Sequence, residues 1–174
     1  MTTPDLRAFV RDIPDFPQPG IVFRDITPLL LDPGALDAAV SGLAEVSPRE
    51  VDFIVAAEAR GFILGAALAR QLRAGFVPAR KPGKLPAATI SAEYALEYGI
   101  DALEVHADAL ADGARVLVHD DLLATGGTAR ALCDLVAGLG AEIIGCSFLV
   151  ELCFLEGRKR LAPHGVYSLI EYAE

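Results

Sequence analysis

Four short apolar runs alternate along the chain with three longer segments of a different texture, and this alternation constrains the fold more than any other feature. Residues 51–55 (VDFIV), 75–78 (GFVP), 115–119 (RVLVH) and 143–150 (IIGCSFLV) are rich in β-branched or aromatic residues and read as buried strands. Between them, residues 35–46, 62–72 and 128–139 carry helical spacing, and Gly140 follows the last as a helix C-cap would. Strands that are apolar on both sides must be covered on both sides. The expectation is an α/β fold, a central and mostly parallel sheet flanked by helices. A length of 174 residues suits one domain with a sizeable core.

Two regions break the alternation. Residues 81–104 (KPGKLPAATISAEYALEYGIDALE) mix Pro, Gly and polar residues with short alternating stretches, which predicts an antiparallel ribbon making a long excursion from the core sheet. A connection of that length is more often functional than accidental. The first thirty residues, with Pro14, Pro17, Pro19, Gly20 and Pro28, read as an extended cap after one short helix. Within them VFRDI (22–26) reads as an edge strand, with Phe23 as a core residue.

A net charge of −9 argues against non-specific binding of nucleic acid, which depends on clustered Lys and Arg. The basic Arg158-Lys159-Arg160 run reads most simply as a solvated helix face. Cys133, Cys146 and Cys153 sit among apolar neighbours without ligand spacing and read as reduced, buried cysteines. The N-terminal stretch has two Arg and three Asp and no apolar core of signal-peptide length. No apolar run approaches the roughly 18 residues of a membrane span. A soluble cytoplasmic protein without membrane partners is expected.

The chemistry concentrates in residues 116–132 (VLVHDDLLATGGTARAL). In a parallel sheet the ligand crevice lies beyond the carboxyl ends of the strands, where Asp120 and Asp121 stand. Directly after them, Ala124-Thr125-Gly126-Gly127-Thr128 joins two turn-forming glycines and two hydroxyls to the start of a helix, a place that favours an anion. The alternative is an ordinary strand–turn–helix in which Asp or Thr caps the helix. Neither G-x-x-x-x-G-K-[ST] nor a G-x-G-x-x-G after a strand occurs, which disfavours kinases and dehydrogenases. An anion cradle beside two carboxylates suits a ligand with a phosphate, a diol and a carbon that becomes cationic. A phosphorylated ribose activated at its anomeric carbon has all three features.

At these residues the chain resembles the type I phosphoribosyltransferases, and VLVHDDLLATGGT is similar to their signature for 5-phosphoribosyl-1-pyrophosphate. More narrowly, the chain resembles the adenine phosphoribosyltransferase family along nearly its whole length. The agreeing blocks are Asp15–Pro17 with Pro19–Ile26, then Glu58–Phe62, Arg80–Pro86, Leu96–Gly99 and the signature. The resemblance implies a type I phosphoribosyltransferase fold with a small N-terminal hood over about residues 1–34 and a flexible β-ribbon lid over about 81–104. It implies that Asp120 and Asp121 meet the ribose 2′ and 3′ hydroxyls and that Ala124 to Thr128 hold the 5′-phosphate. Pyrophosphate then needs cations, for which Arg60, Arg80, Lys81 and Lys84 are the candidates. Mg²⁺ is expected as the one cofactor, held largely by substrate and water.

For the base, the resemblance implies backbone contacts from Val22 and Arg24 to adenine, Phe23 against one ring face and Leu152 over the other. Glu97 would exchange a proton with the purine and Tyr98 would help close the lid. His119 stands where the family carries an apolar strand residue, and reads as a buried, satisfied histidine. The implied reaction makes AMP and pyrophosphate from adenine and the sugar diphosphate in purine salvage, by a homodimer of such chains. Two other readings were open at this level: salvage of hypoxanthine or guanine, and a non-catalytic sensor of the sugar diphosphate acting on nucleic acid. The charge of −9 disfavours the sensor.

Overall fold

A computed structural model describes residues 4–96 and 99–174. The chain starts with a single 3-10 turn at Leu6–Phe9. It continues through β1 (Arg11–Pro14), β2 (Val22–Asp25), α1 (Thr27–Leu31), α2 (Pro33–Val46), β3 (Phe53–Ala57), α3 (Arg60–Leu72) and β4 (Gly75–Ala79). Next come β5 (Thr89–Leu96), β6 (Gly99–His106), β7 (Arg115–Leu123), α4 (Gly127–Gly138), β8 (Glu142–Leu152), α5 (Gly157–Leu161) and β9 (Val166–Tyr172). Among the described residues no helix is long and apolar enough to cross a membrane.

Five strands form the central sheet in the order β4-β3-β7-β8-β9, and every neighbouring pair is parallel. Alternate residues of each strand enter two separate cores, which explains the unbroken apolar runs. Val55, Val77, Val118 and Phe148 pack on one face with Leu132 and Leu135 of α4. Ile54, Leu117 and Leu149 pack on the other with Leu43 of α2 and Leu64 and Leu68 of α3. Asp32 caps α2, its carboxylate accepting the Ala35 N–H at 2.8 Å. Past the end of α4, Gly140 takes φ +77°, as the expected C-cap glycine should.

Several expectations are corrected. The fifth strand, β9, was not anticipated; it pairs with β8 at the sheet edge, from Cys146↔Val166 to Leu152↔Tyr172. The ribbon β5–β6 is antiparallel as expected, but its base does not leave the core. Leu103 and Val105 are buried in the α4-side core. Backbone bonds between Arg80 and Glu104, at 2.9 and 2.7 Å, stitch it to the end of β4. Arg158, Lys159 and Arg160 are exposed, as a solvated helix face should be, but Arg158 is also paired. Its guanidinium donates to both Glu151 oxygens at 2.5 and 2.7 Å, and to Glu171 at 2.8 Å, so it ties α5 to β8 and β9. A sequence reading sees three adjacent basic residues and has no sign of the buried carboxylate waiting for one of them.

His119 is fully buried as expected; neither ring nitrogen has a well-aligned hydrogen-bond partner, and only the Ser147 backbone acts on the ring as a weak one. Its ring lies on the α3 side, where a Cβ added at Gly65 would stand 3.3 Å from it. Burial holds its pKa down to about 4, so it stays neutral. Cys133 and Cys146 are buried free thiols with Sγ atoms 3.7 Å apart, whereas Cys153 is only half-buried.

Candidate active site

Counted in chain order within the sheet, the strands run 2-1-3-4-5, so the order reverses between β3 and β7. At such a switch point the connections leave the carboxyl ends in opposite directions and open a crevice. The turn after β3 carries a cis peptide between Glu58 and Ala59 and delivers Arg60 as the first residue of α3. The end of β7 delivers Asp120 and Asp121. A cavity of about 350 Å³ opens there, lined by Arg60, Tyr94, Asp120, Asp121 and the continuous run from Leu122 to Ala129. That is a volume suited to a small ligand.

The loop has the features an anion needs. Gly126, at φ +84°, precedes α4, and no side chain caps the helix. The first N–H groups of α4 therefore remain available, which removes the alternative that Asp or Thr simply caps it. The loop is backed from behind. A Cβ at Gly126 would stand 2.8 Å from the Gly157 carbonyl oxygen, and one at Gly157 would overlap the Ala124 carbonyl oxygen. Glycine is required on both sides of this contact.

The acidic pair is largely shielded, Asp121 buried and Asp120 half-buried. Asp121 is 5% exposed, and its Oδ2 lies 2.9 Å from Arg60 Nε without an aligned hydrogen bond. Asp120 Oδ1 accepts the backbone N–H of Asp121 at 2.9 Å and packs against α3, where a Cβ on Gly61 would come within 2.7 Å. Burial, with the neighbouring Asp121 charge second, pushes the Asp120 carboxyl well above the ordinary carboxylate range. Burial also raises Asp121, against the opposing pull of the Arg60 guanidinium. A site with two carboxylates and one nearby cation is short of positive charge and of hydrogen-bond donors. A diol supplies donors, and a carbon gaining positive charge relieves the repulsion.

Not every expected residue reaches this cavity. Arg80 donates to Glu58 at 2.6 Å, and Lys81 pairs with Asp101 on β6. Lys84 lies in the turn after Arg80 and contributes its carbonyl to the Arg80 side chain at 3.4 Å. None of these three cations lines the cavity. β1 and β2 form the hood as a two-stranded antiparallel sheet, which leaves β2 with a strand partner on one edge only. Phe23 is half-buried rather than core, in edge-on contact with Phe16 at 5.3 Å. Its ring is faced by the Arg60 guanidinium at 5.0 Å, so one side chain touches both the hood and the acidic pair.

The Arg24 side chain points away from the crevice, pairing with Asp12 at 2.5 Å and covering the Tyr172 ring at 3.9 Å. Val22 is exposed, and Leu152 is half-buried at the end of β8 against the α2–α3 core. Glu97 and Tyr98 lie outside the described residues. Sequence reasoning missed Tyr94, which lines the cavity, and Glu58, Asp101 and Gly157, which hold neighbouring groups in place. Only Glu58 carried a signal, inside the Glu58–Phe62 block.

Comparisons with known proteins agree with this geometry. The phosphoribosyl transferase domain family matches residues 34–170. The chain is similar to the adenine phosphoribosyltransferase of Rubrobacter xylanophilus, with 59% identity over 170 residues that cover 96% of this chain and 91% of the other. Its likeness to that of Thermotoga maritima is 59% over 169 residues, covering 97% and 98%. The crystal structure of adenine phosphoribosyltransferase from Thermoanaerobacter pseudethanolicus superposes with a TM-score of 0.95 at 52% identity, covering 98% and 100%. That of Saccharomyces cerevisiae, complexed with an imino-altritol bisphosphate and adenine, gives 0.90 at 38% identity, covering 95% and 97%. With the type I fold, the acidic strand end and the glycine loop in place, this chain belongs to the adenine phosphoribosyltransferase family.

Proposed function

We propose that this protein transfers the 5-phosphoribosyl group of 5-phosphoribosyl-1-pyrophosphate to N9 of adenine, giving AMP and pyrophosphate. The observation that carries the reading is an acidic pair, buried Asp121 and half-buried Asp120, beside an uncapped, glycine-backed helix start at the sheet's switch point. In this scheme the backbone from Ala124 to Thr128 binds the 5′-phosphate, and Asp120 and Asp121 accept hydrogen bonds from the ribose hydroxyls. Their charge favours oxocarbenium character at the anomeric carbon as its bond to pyrophosphate oxygen breaks and the bond to N9 forms. Arg60 stands nearest to the reacting centre, while Arg80 and Lys81 meet pyrophosphate by leaving Glu58 and Asp101, and Lys84 joins them from the turn.

The donors at the cavity are hard carboxylate oxygens, which fit a Mg²⁺ carried mainly by substrate oxygens and water. Bound there, the ion would shield the charge of departing pyrophosphate. The Glu151, Cys153 and Glu171 group is a poor rival, because Arg158 and Ser168 already engage Glu151. Phe23 and Leu152 cover the two faces of adenine in this reading, and the free edge of β2 at Val22 and Arg24 reads its polar edge through the backbone. Glu97 takes the purine proton and Tyr98 helps close the ribbon over the site. Location in the cytoplasm is supported by the free thiols, and a homodimer by the exposed apolar side chains of Leu31 and Ile63.

One assay tests the reading: nucleotide formation from adenine, hypoxanthine and guanine with the same sugar diphosphate. Hypoxanthine inverts donor and acceptor at the positions that the β2 backbone would read. A preference for adenine of about 10⁴-fold or more is expected of hydrogen-bonding discrimination. Comparable turnover of hypoxanthine would overturn the contact scheme.

A further inference from the structure

Asp101 is a single carboxylate placed between two groups of the site. Its Oδ2 accepts the Tyr94 hydroxyl at 3.1 Å and also pairs with the Lys81 ammonium, while its Oδ1 accepts the Ala102 N–H at 2.9 Å. Tyr94 faces Asp101 directly across the ribbon and lines the cavity with the acidic pair and the glycine loop. The backbone before Lys81 is fixed, because Arg80 and Glu104 exchange two hydrogen bonds. The flexible part is the lysine side chain itself.

We infer that Asp101 is a positioning residue that holds Lys81 in reserve and releases it to pyrophosphate. The pair is open to water, with side chains 42% and 23% exposed, and pairs this open contribute little. A pyrophosphate group with several negative charges is the stronger partner for an ammonium. After the exchange, Asp101 retains the Tyr94 hydroxyl and keeps that ring against the cavity. Asp101 thus sets a threshold: weak anions do not displace it, and the multiply charged end of the sugar diphosphate does. The inference rests on the reading of Lys81 as a pyrophosphate cation.

The test is calorimetric titration of inorganic pyrophosphate with Mg²⁺, at fixed ionic strength, into the full chain and into Asp101→Asn, Lys81→Ala and the double variant. Freed of its competitor, Lys81 in Asp101→Asn should bind pyrophosphate about two- to five-fold more tightly, the range of an exposed ion pair. The gain should be absent when Lys81 is Ala, which a general loss of negative charge would not predict. Asp101→Ser, which keeps an acceptor for the Ala102 N–H, should reproduce the gain. Weaker or unchanged binding in Asp101→Asn, or an equal gain in the Lys81→Ala background, overturns the inference. AMP formation by the unaltered protein is measured alongside: its absence sinks the transferase reading, whereas normal AMP formation without the pyrophosphate gain sinks only the role of Asp101.

Discussion

The end of β7 and the hood are the two halves of this site, and they are built in opposite ways. At the strand end, Asp121 is 5% exposed and His119 is fully buried, in a framework of packed strands and helix starts. In the hood, Phe16 and Ile21 in the β1–β2 connection and Val22 on β2 are 50%, 40% and 43% exposed. In the proposed reaction, polar groups are shielded where charge is handled, and apolar groups are left wet where a flat ring is covered. Each half is unfavourable without its ligand, one through desolvated charge and the other through hydrated apolar surface. Arg60 is the contact they share.

The largest expected effect tests whether the shielded half is organised for ligand rather than stability. Asp120→Asn or Asp121→Asn should lower kcat/KM for the sugar diphosphate by about 10²–10³-fold, as loss of a preorganised electrostatic contact does. The ligand-free melting temperature should rise in the same variants, because both folded carboxyls are raised above their ordinary range. A folded-state pKa above the unfolded one costs stability at neutral pH. A fall in melting temperature with activity intact would break the contrast.

His119 isolates the shielded half by pH. Its folded pKa of about 4 lies below the model-peptide value of 6.5, so the folded state binds fewer protons in that window. Its contribution to stability is complete above pH 6.5 and is lost as pH falls through 4, by about 3 kcal/mol. The raised carboxyls act with the opposite sign, so the comparison must be between chains. Chemical unfolding of His119→Leu from pH 7 to 4 should show a flatter acid decline than the unaltered protein, and parallel curves would show that His119 is solvated.

Gly157→Ala probes the backing of the phosphate loop without altering a lining residue. Pushing the Ala124 carbonyl out of place should raise KM for the sugar diphosphate roughly ten-fold and leave KM for adenine near its original value. The smallest effect belongs to the hood. Phe23→Leu retains apolar area but loses the flat ring, and should raise KM for adenine by about three- to five-fold. A change in KM for the sugar diphosphate of equal size would mean that Arg60 transmits hood changes to the acidic pair.

The strand end was readable from sequence because its parts are contiguous: strand, carboxylates, glycine loop and helix follow one another within one short segment. The same holds for the helix end at Gly140, where a local rule is enough. Features that depend on distant partners were not readable. Arg158 looks like any surface charge until Glu151 and Glu171 are brought to it by β8 and β9. Tyr94 and Asp101 meet only through the ribbon's register, and the burial of Leu103 and Val105 depends on α4 lying over them. β9 was overlooked although Val166, Tyr167, Leu169, Ile170 and Tyr172 give it the β-branched and aromatic content of a strand. The surroundings of His119 bring together Gly65 on α3 and Ser147 on β8, which no local pattern unites.

The contact between Gly157 and the Ala124 carbonyl makes α5 a brace, loaded from behind by the Arg158 clamp on Glu151 and Glu171. The glycine loop is therefore backed by residues that do not line the cavity. A designer wishing to tune phosphate affinity in small steps would leave the cradle alone and adjust the clamp, for example with Glu171→Gln. A bulky inhibitor that wedges between α5 and the loop would act on the same joint, and would require no competition with phosphate for the cavity itself.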